Sequence, residues 1–140
     1  MAQSWKMDVG INHVGAYQVS GKPYAQADVD ASSAVTVSFP YVTKWVQVTN
    51  KTVTPLKVGF SALGIAGTAQ VGPAKSYFTV DASSSAGGYG VSEIFEMKVS
   101  QLFLLGGDGV DVVAGLTNIL PERTLMGAGL LSWSGSVGVG

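Results

Sequence analysis

Ser61 follows Gly59-Phe60, a start that matches the nucleophile turn of a serine hydrolase. Leu63 stands where that turn needs its second glycine, and the single histidine, His13, is far upstream. A serine nucleophile needs a base within hydrogen-bond reach, itself held by an acid, so this chemistry is not expected. Gly15 to Lys22 carries the glycines and lysine of a phosphate-binding loop, but the spacing is one residue too long. Pro23 also follows Lys22 where a metal-binding hydroxyl belongs. Glu93 and Glu96 are the only close glutamates; on a strand, three apart puts them on opposite faces, away from a shared glycosidic bond. Gly106-Gly107-Asp108-Gly109-Val110-Asp111-Val112-Val113 fits one copy of a calcium-binding repeat whose coil needs stacked copies. The same residues predict a hairpin, with Asp108-Gly109 supplying the positive φ angles of a tight turn between apolar strands. Asp8, Asp28, Asp30 and Asp81 would share a calcium ion only if folding gathered them. Asn50-Lys51-Thr52 is formally an N-glycosylation acceptor, and its composition predicts a turn between strands.

Composition narrows the classes further. There is no cysteine, hence no disulfide, no thiol nucleophile and no cysteine-ligated metal. Eight Lys and Arg against nine Asp and Glu leave a net charge of −1, which excludes a protein that grips nucleic acid mainly through phosphates. No enzymatic site, no cofactor and no tightly held transition metal are expected. Only 12% of the residues are charged, about half the usual share of roughly 25%. Such a surface is either covered by neutral polar residues or faces another protein. Met1 to Asp8 lacks the apolar run of a secretory leader. The charge-free stretches Val58 to Ala74 and Thr124 to Gly140 are broken by Gly and Ser and fall short of the roughly 20 residues of a membrane helix.

The elements that would position any site are short strands. The chain holds 20 Val and 19 Gly; branching at Cβ favours strands, and glycine supplies turns. Val35 to Phe39 alternates and stops at Pro40. Val42, Val46 and Val48 share one face, with Thr43, Trp45, Gln47 and Thr49 on the other. Leu56 to Ala62, Ser76 to Val80, Phe95 to Val99 and Val110 to Leu116 follow the same rule. Leu102 and Leu104 fall one place out of phase, which predicts a bulge near Ser100-Gln101. A last run holds Leu131, Trp133, Val137 and Val139, and weaker ones span Ala16 to Ser20 and Tyr24 to Ala27. Ile65 to Lys75 and Ala82 to Gly90 are expected loops, residues 1–13 an extended arm, and 1–140 a single domain. The pattern predicts an all-β sandwich or barrel, with Val37, Phe39, Val46, Val48, Val58, Phe60, Val99 and Val112 in its core. Trp45 and Tyr77 fall on polar strand faces, where aromatics mark subunit contacts or lie under a second layer of the same chain. They are the candidate subunit interface.

Two stretches carry a resemblance. One is Gly15-Ala16-Tyr17-Gln18-Val19-Ser20-Gly21-Lys22-Pro23-Tyr24. The other runs from Val99-Ser100-Gln101-Leu102-Phe103-Leu104 through Val110-Asp111-Val112-Val113-Ala114-Gly115-Leu116-Thr117-Asn118-Ile119. With the strand pattern, they resemble the small single jelly-roll capsid proteins of large icosahedral double-stranded DNA viruses, over about Val14 to Asn118. In size the chain looks most like the penton proteins of that group. The resemblance implies an eight-stranded antiparallel jelly-roll sandwich, a homopentamer at the capsid vertex, contacts with neighbouring capsid proteins and proximity to an internal membrane. It implies a virion location and transfers no catalytic residues.

Two other readings compete. A jelly-roll binding module, such as a lectin or the head of a receptor-binding fibre, would pair an exposed aromatic with a polar side chain, and Trp45 with Asn50 is the one available pair. A lipid-facing protein would use Leu125-Met126-Gly127-Ala128-Gly129-Leu130-Leu131, which otherwise reads as the entry to the last strand.

Overall fold

The computed structural model describes residues 22–66, 70–71, 74–75, 77–84, 87–121, 125–126 and 130–131. The 1–13 arm, His13, Asp8, the Gly15–Gly21 stretch with its Ala16 to Ser20 strand, and Trp133, Val137 and Val139 lie outside them. The chain is all-β, with two antiparallel four-stranded sheets. In the first, β1 (Lys22–Asp30), β10 (Asp108–Leu116), β3 (Thr43–Asn50) and β8 (Gly90–Val91) lie side by side in that order. In the second, the order is β2 (Val35–Ser38), β9 (Gln101–Leu105), β4 (Leu56–Gly59) and β7 (Tyr77–Val80). Two small ribbons, β5 (Gln70–Val71) with β6 (Ala74–Lys75) and β11 (Leu125–Met126) with β12 (Leu130–Leu131), complete the strands. The second ribbon occupies the segment weighed as lipid-facing. No helix among the described residues is long and apolar enough to cross a membrane.

Alternation decides the core. Val46, Val48, Val110, Val112 and Ala114 of the first sheet and Val37, Leu56, Val58, Leu102 and Leu104 of the second form one buried cluster. Burying each such side chain stabilises the fold by roughly 1.5–3 kcal/mol. Phe39 and Val99 are buried as expected. Phe60 is only half-buried, at the margin beside Phe78, because β4 ends one residue earlier and the chain turns into helix α1 (Ala62–Ala66). That helix replaces the predicted end of the strand. Ser61 caps it, its Oγ accepting from the Gly64 amide at 3.0 Å, and Ile65 is buried. Ser61 thus has a structural role. Pro23 sits in β1, an edge strand among the described residues, where its missing N–H is tolerated.

Three sequence expectations change. Thr43 does not share a face with Trp45. Thr43 pairs with Leu116 and Trp45 with the adjacent Gly115, so Lys44 is an extra residue and the strand bulges there. Thr43 turns inward and is fully buried; its hydroxyl donates to the Met97 carbonyl at 2.7 Å and accepts from the Val99 amide at 3.1 Å. The phase slip near Ser100-Gln101 is not a bulge within one strand. Phe95 bridges Val46 of the first sheet, and β9 pairs in the second, so the chain changes sheets between them. Nor is Asp108-Gly109 a hairpin turn, since β9 and β10 belong to different sheets. Gly109 does take a positive φ of 116°, as the extra residue of a bulge against β1.

Asn50 joins the two sheets. It is buried at the end of β3, and its amide nitrogen donates to the carbonyls of Thr54 at 2.8 Å and Asp81 at 3.0 Å. Its Oδ1 accepts from the Thr52 amide at 3.0 Å and the Thr52 hydroxyl at 2.8 Å. Replacing Asn50 by Ala leaves several buried polar groups unpaired, each costing about 1–3 kcal/mol. Equilibrium urea unfolding is expected to show a loss of at least about 2 kcal/mol for Asn50→Ala, against about ±0.5 kcal/mol for Val53→Ala, which is 86% exposed. Equal effects at the two positions would contradict this assignment.

Candidate functional site

The bulge at Lys44 aims Trp45 outward. Its indole lies against Gly115 on the neighbouring strand, where any Cβ would overlap the ring. The side chain is therefore half-buried on its own sheet, with its other face open among the described residues. Around it the outer face of the first sheet carries Pro23 and Ala25 of β1, Val113 of β10, and Gln47 and Thr49 of β3. These are uncharged, and the acid Asp111 of β10 lies beside them, paired with Thr49. A shallow groove of about 310 Å³ crosses this face at Ala25, Ala27, Thr49, Asp111 and Val113.

Tyr77 lies on the other sheet. It pairs with Gly59, while its neighbours Phe78 and Val80 pair with the inward Val58 and Leu56. The ring therefore faces outward from the second sheet, and the Lys57 ammonium sits 5.1 Å from its centroid. Trp45 and Tyr77 mark opposite outer faces of the sandwich. They cannot form one continuous patch.

A charge cluster bounds the Trp45 face. Lys51 Nζ contacts Asp28 and also Asp111 Oδ1, the latter at 3.0 Å. Asp28 is the extra residue of a bulge in β1 and takes a left-handed φ of 57°; aspartate tolerates that conformation better than most residues. Its amide donates to Asp111 Oδ1 at 2.9 Å. Burial pushes the Asp111 carboxyl up, but the Asp28 amide and the Lys51 ammonium outweigh it and hold the group below the usual carboxylate range. The Lys51 ammonium is held well above its ordinary value, first by its hydrogen bond to Asp28 and then by Asp111.

The other sequence candidates are dispersed. Asp28 is engaged by Lys51, Asp30 is tied to Ser32, and Asp81 lies at a different edge. Among the described residues no three His, Cys, Asp or Glu side chains group as a metal site. Trp45 and Asn50 point to opposite sides of β3, so the lectin pair does not converge. The Asn50 amide nitrogen is already committed to backbone carbonyls, which also removes it as a glycan acceptor in the folded chain. Glu93 and Glu96 are exposed on the irregular segment that follows β8.

One surface was not anticipated from sequence. Tyr89, Val91 and Ile94 are 61%, 55% and 56% exposed along the edge of the first sheet. Tyr89 and Val91 border a cleft of about 440 Å³ between β7 and β8. The alternation of Tyr89 and Val91 around Gly90 was its only signal, hidden by the adjoining Ser83 to Gly88 turn residues. No protein-family description, curated protein or solved structure matches the chain.

A pH dependence follows from Asp111. Its folded pKa lies below the ordinary 3.8, so the unfolded chain binds the proton first as pH falls. The stabilisation is whole at neutral pH and is lost as pH drops from about 4 through the folded value. Urea unfolding should find Asp111→Asn less stable than the parent at pH 7, with the gap closing below about pH 4. A gap independent of pH would contradict the assignment.

Proposed function

We propose that the chain is a structural assembly subunit, a jelly-roll capsid protein that closes into a homopentamer at a vertex of an icosahedral double-stranded DNA virus particle. The observation that carries this reading is the strand order. β1-β10-β3-β8 stands against β2-β9-β4-β7, so the chain crosses between sheets at almost every step. That interleaving is what two Greek keys folded into a jelly roll produce. The capsid resemblance of the Gly15–Tyr24 and Val99–Ile119 stretches adds the function, by analogy rather than by chemistry.

The surface supports the same reading. A sheet face bearing Trp45, Pro23 and Val113, whose one acid, Asp111, is paired with Lys51, is matched to burial against protein, where charged residues are depleted and Trp is favoured. The placement of Trp45 and Tyr77 on opposite faces fits a head-to-tail ring, which closes when the rotation between subunits allows it. Neighbouring capsid proteins would meet the surfaces the ring leaves open, within the virion. The binding-module alternative loses its one residue pair, since Trp45 and Asn50 diverge.

Native mass spectrometry and sedimentation of the full chain at about 100 μM are expected to find an assembly of five 14.4 kDa subunits. Trp45→Ala should weaken it by at least about 2 kcal/mol, roughly 30-fold, with thermal unfolding of the subunit nearly unchanged. A parent chain that stays monomeric, or an assembly indifferent to Trp45→Ala, would contradict the reading. Strong signals on a glycan array would favour the binding module instead.

A further inference from the structure

The cleft between β7 and β8 has the parts of a peptide-binding groove, whether or not the chain assembles. The Ser92 amide donates to the Val48 carbonyl at 2.9 Å, which makes Ser92 and Val48 a hydrogen-bonded position of the antiparallel ladder, with the return bond from the Val48 amide going to Ser92 Oγ at 2.9 Å. Such positions alternate with non-bonded ones. Thr49 and Val91 are therefore a non-bonded pair, and the Val91 N–H and C=O point away from β3 toward the free edge. No described strand pairs with that edge. β7 is likewise the last strand of its sheet among the described residues, so the cleft runs between two edges that no described strand covers.

Its lining is mostly polar, with an aromatic pair set into it. Phe78 and Phe95 lie 4.9 Å apart between ring centroids and line the cleft, with Tyr89 at its rim. Its charge has one sign. Asp81 and Glu93 line it, and among the described residues no lysine or arginine does. Glu93 and Ile94 stand together opposite Gln47, as a bulge between the Ser92–Val48 and Phe95–Val46 pairs, which projects the acid at the mouth. At one end Gly90 passes so close to the Asp81 carbonyl that a Cβ would overlap it, and this contact closes the groove.

We propose that this cleft binds an extended basic segment of another protein by strand addition to β8. The Val91 N–H and C=O would pair with the segment backbone. An apolar or aromatic side chain would pack on Phe78 and Phe95, and a flanking Lys or Arg would meet Glu93 and Asp81. Main-chain pairing supplies affinity in this mode, and the pocket and charges supply selectivity.

Fluorescence anisotropy of the full chain with a short labelled peptide tests it. The peptide is capped at both ends, built from Val and Thr around one Phe, and flanked by Lys; its counterpart carries Glu at the Lys positions. The basic peptide should bind at least about tenfold more tightly than the acidic one. Val91→Pro removes an amide that the fold does not use and should weaken binding about tenfold or more. Glu93→Lys, an exposed change independent of the strand edge, should abolish or invert the charge preference. Equal affinity for the two peptides, indifference to both substitutions, or no binding up to about 1 mM would overturn the proposal. Self-association lost in Val91→Pro, without peptide binding, would also overturn it and assign the edge to a second copy of the chain.

Discussion

One buried amide holds the two sheets in register. Asn50 ends β3 of the first sheet, and its side chain reaches Thr54 in the turn before β4 and Asp81 just past β7, both of the second sheet. Thr52 adds to the same knot, its hydroxyl donating to Asn50 Oδ1. Non-directional apolar packing alone would let two valine-rich faces slide. A polar group that must be paired when buried allows few arrangements, because each lost partner costs about 1–3 kcal/mol. The separation of β7 and β8, and hence the cleft between them, follows from this knot.

Bulges then decide what the outer faces present. Lys44 as an extra residue sends Thr43 inward and Trp45 outward, onto Gly115. Asp28 as an extra residue turns its amide toward Asp111 and brings its carboxylate to Lys51. Glu93 and Ile94 project at the cleft mouth by the same device. A regular ladder would leave uniform neutral faces. The irregular one places an aromatic on a face whose one acid, Asp111, is paired with Lys51, and opens an acidic groove along one edge.

Much of the sandwich was legible because alternation is a local property. The cores of β2, β3, β4 and β10 follow from period-two valines and leucines, and nearly every expected core residue is buried. What failed required knowledge of a partner strand. The inward turn of Thr43 depends on the pairing of Leu116 and Gly115. Asp108-Gly109 has the composition of a hairpin turn, but the strands flanking it pair in different sheets. Leu102 and Leu104 fell out of phase because the chain changes sheets, an event that leaves the same trace as a bulge. Alternation places Trp45 and Tyr77 on outward strand faces, but that these are opposite faces of the sandwich emerges only from sheet membership. The free edge of β8 left almost no trace, since an unpaired N–H looks like any other in sequence.

The central claim is that the face carrying Trp45 meets the face carrying Tyr77 on a neighbouring subunit. The chain has no cysteine, so single thiols can be placed without interference. Val113→Cys marks the first face and Thr79→Cys the second. The two variants, assembled separately and as a mixture, would be treated with a short thiol cross-linker. The account predicts cross-linked dimers from the mixture and very few from either variant alone. Cross-linking within each single variant, with no gain on mixing, would mean that like faces meet, and would contradict it.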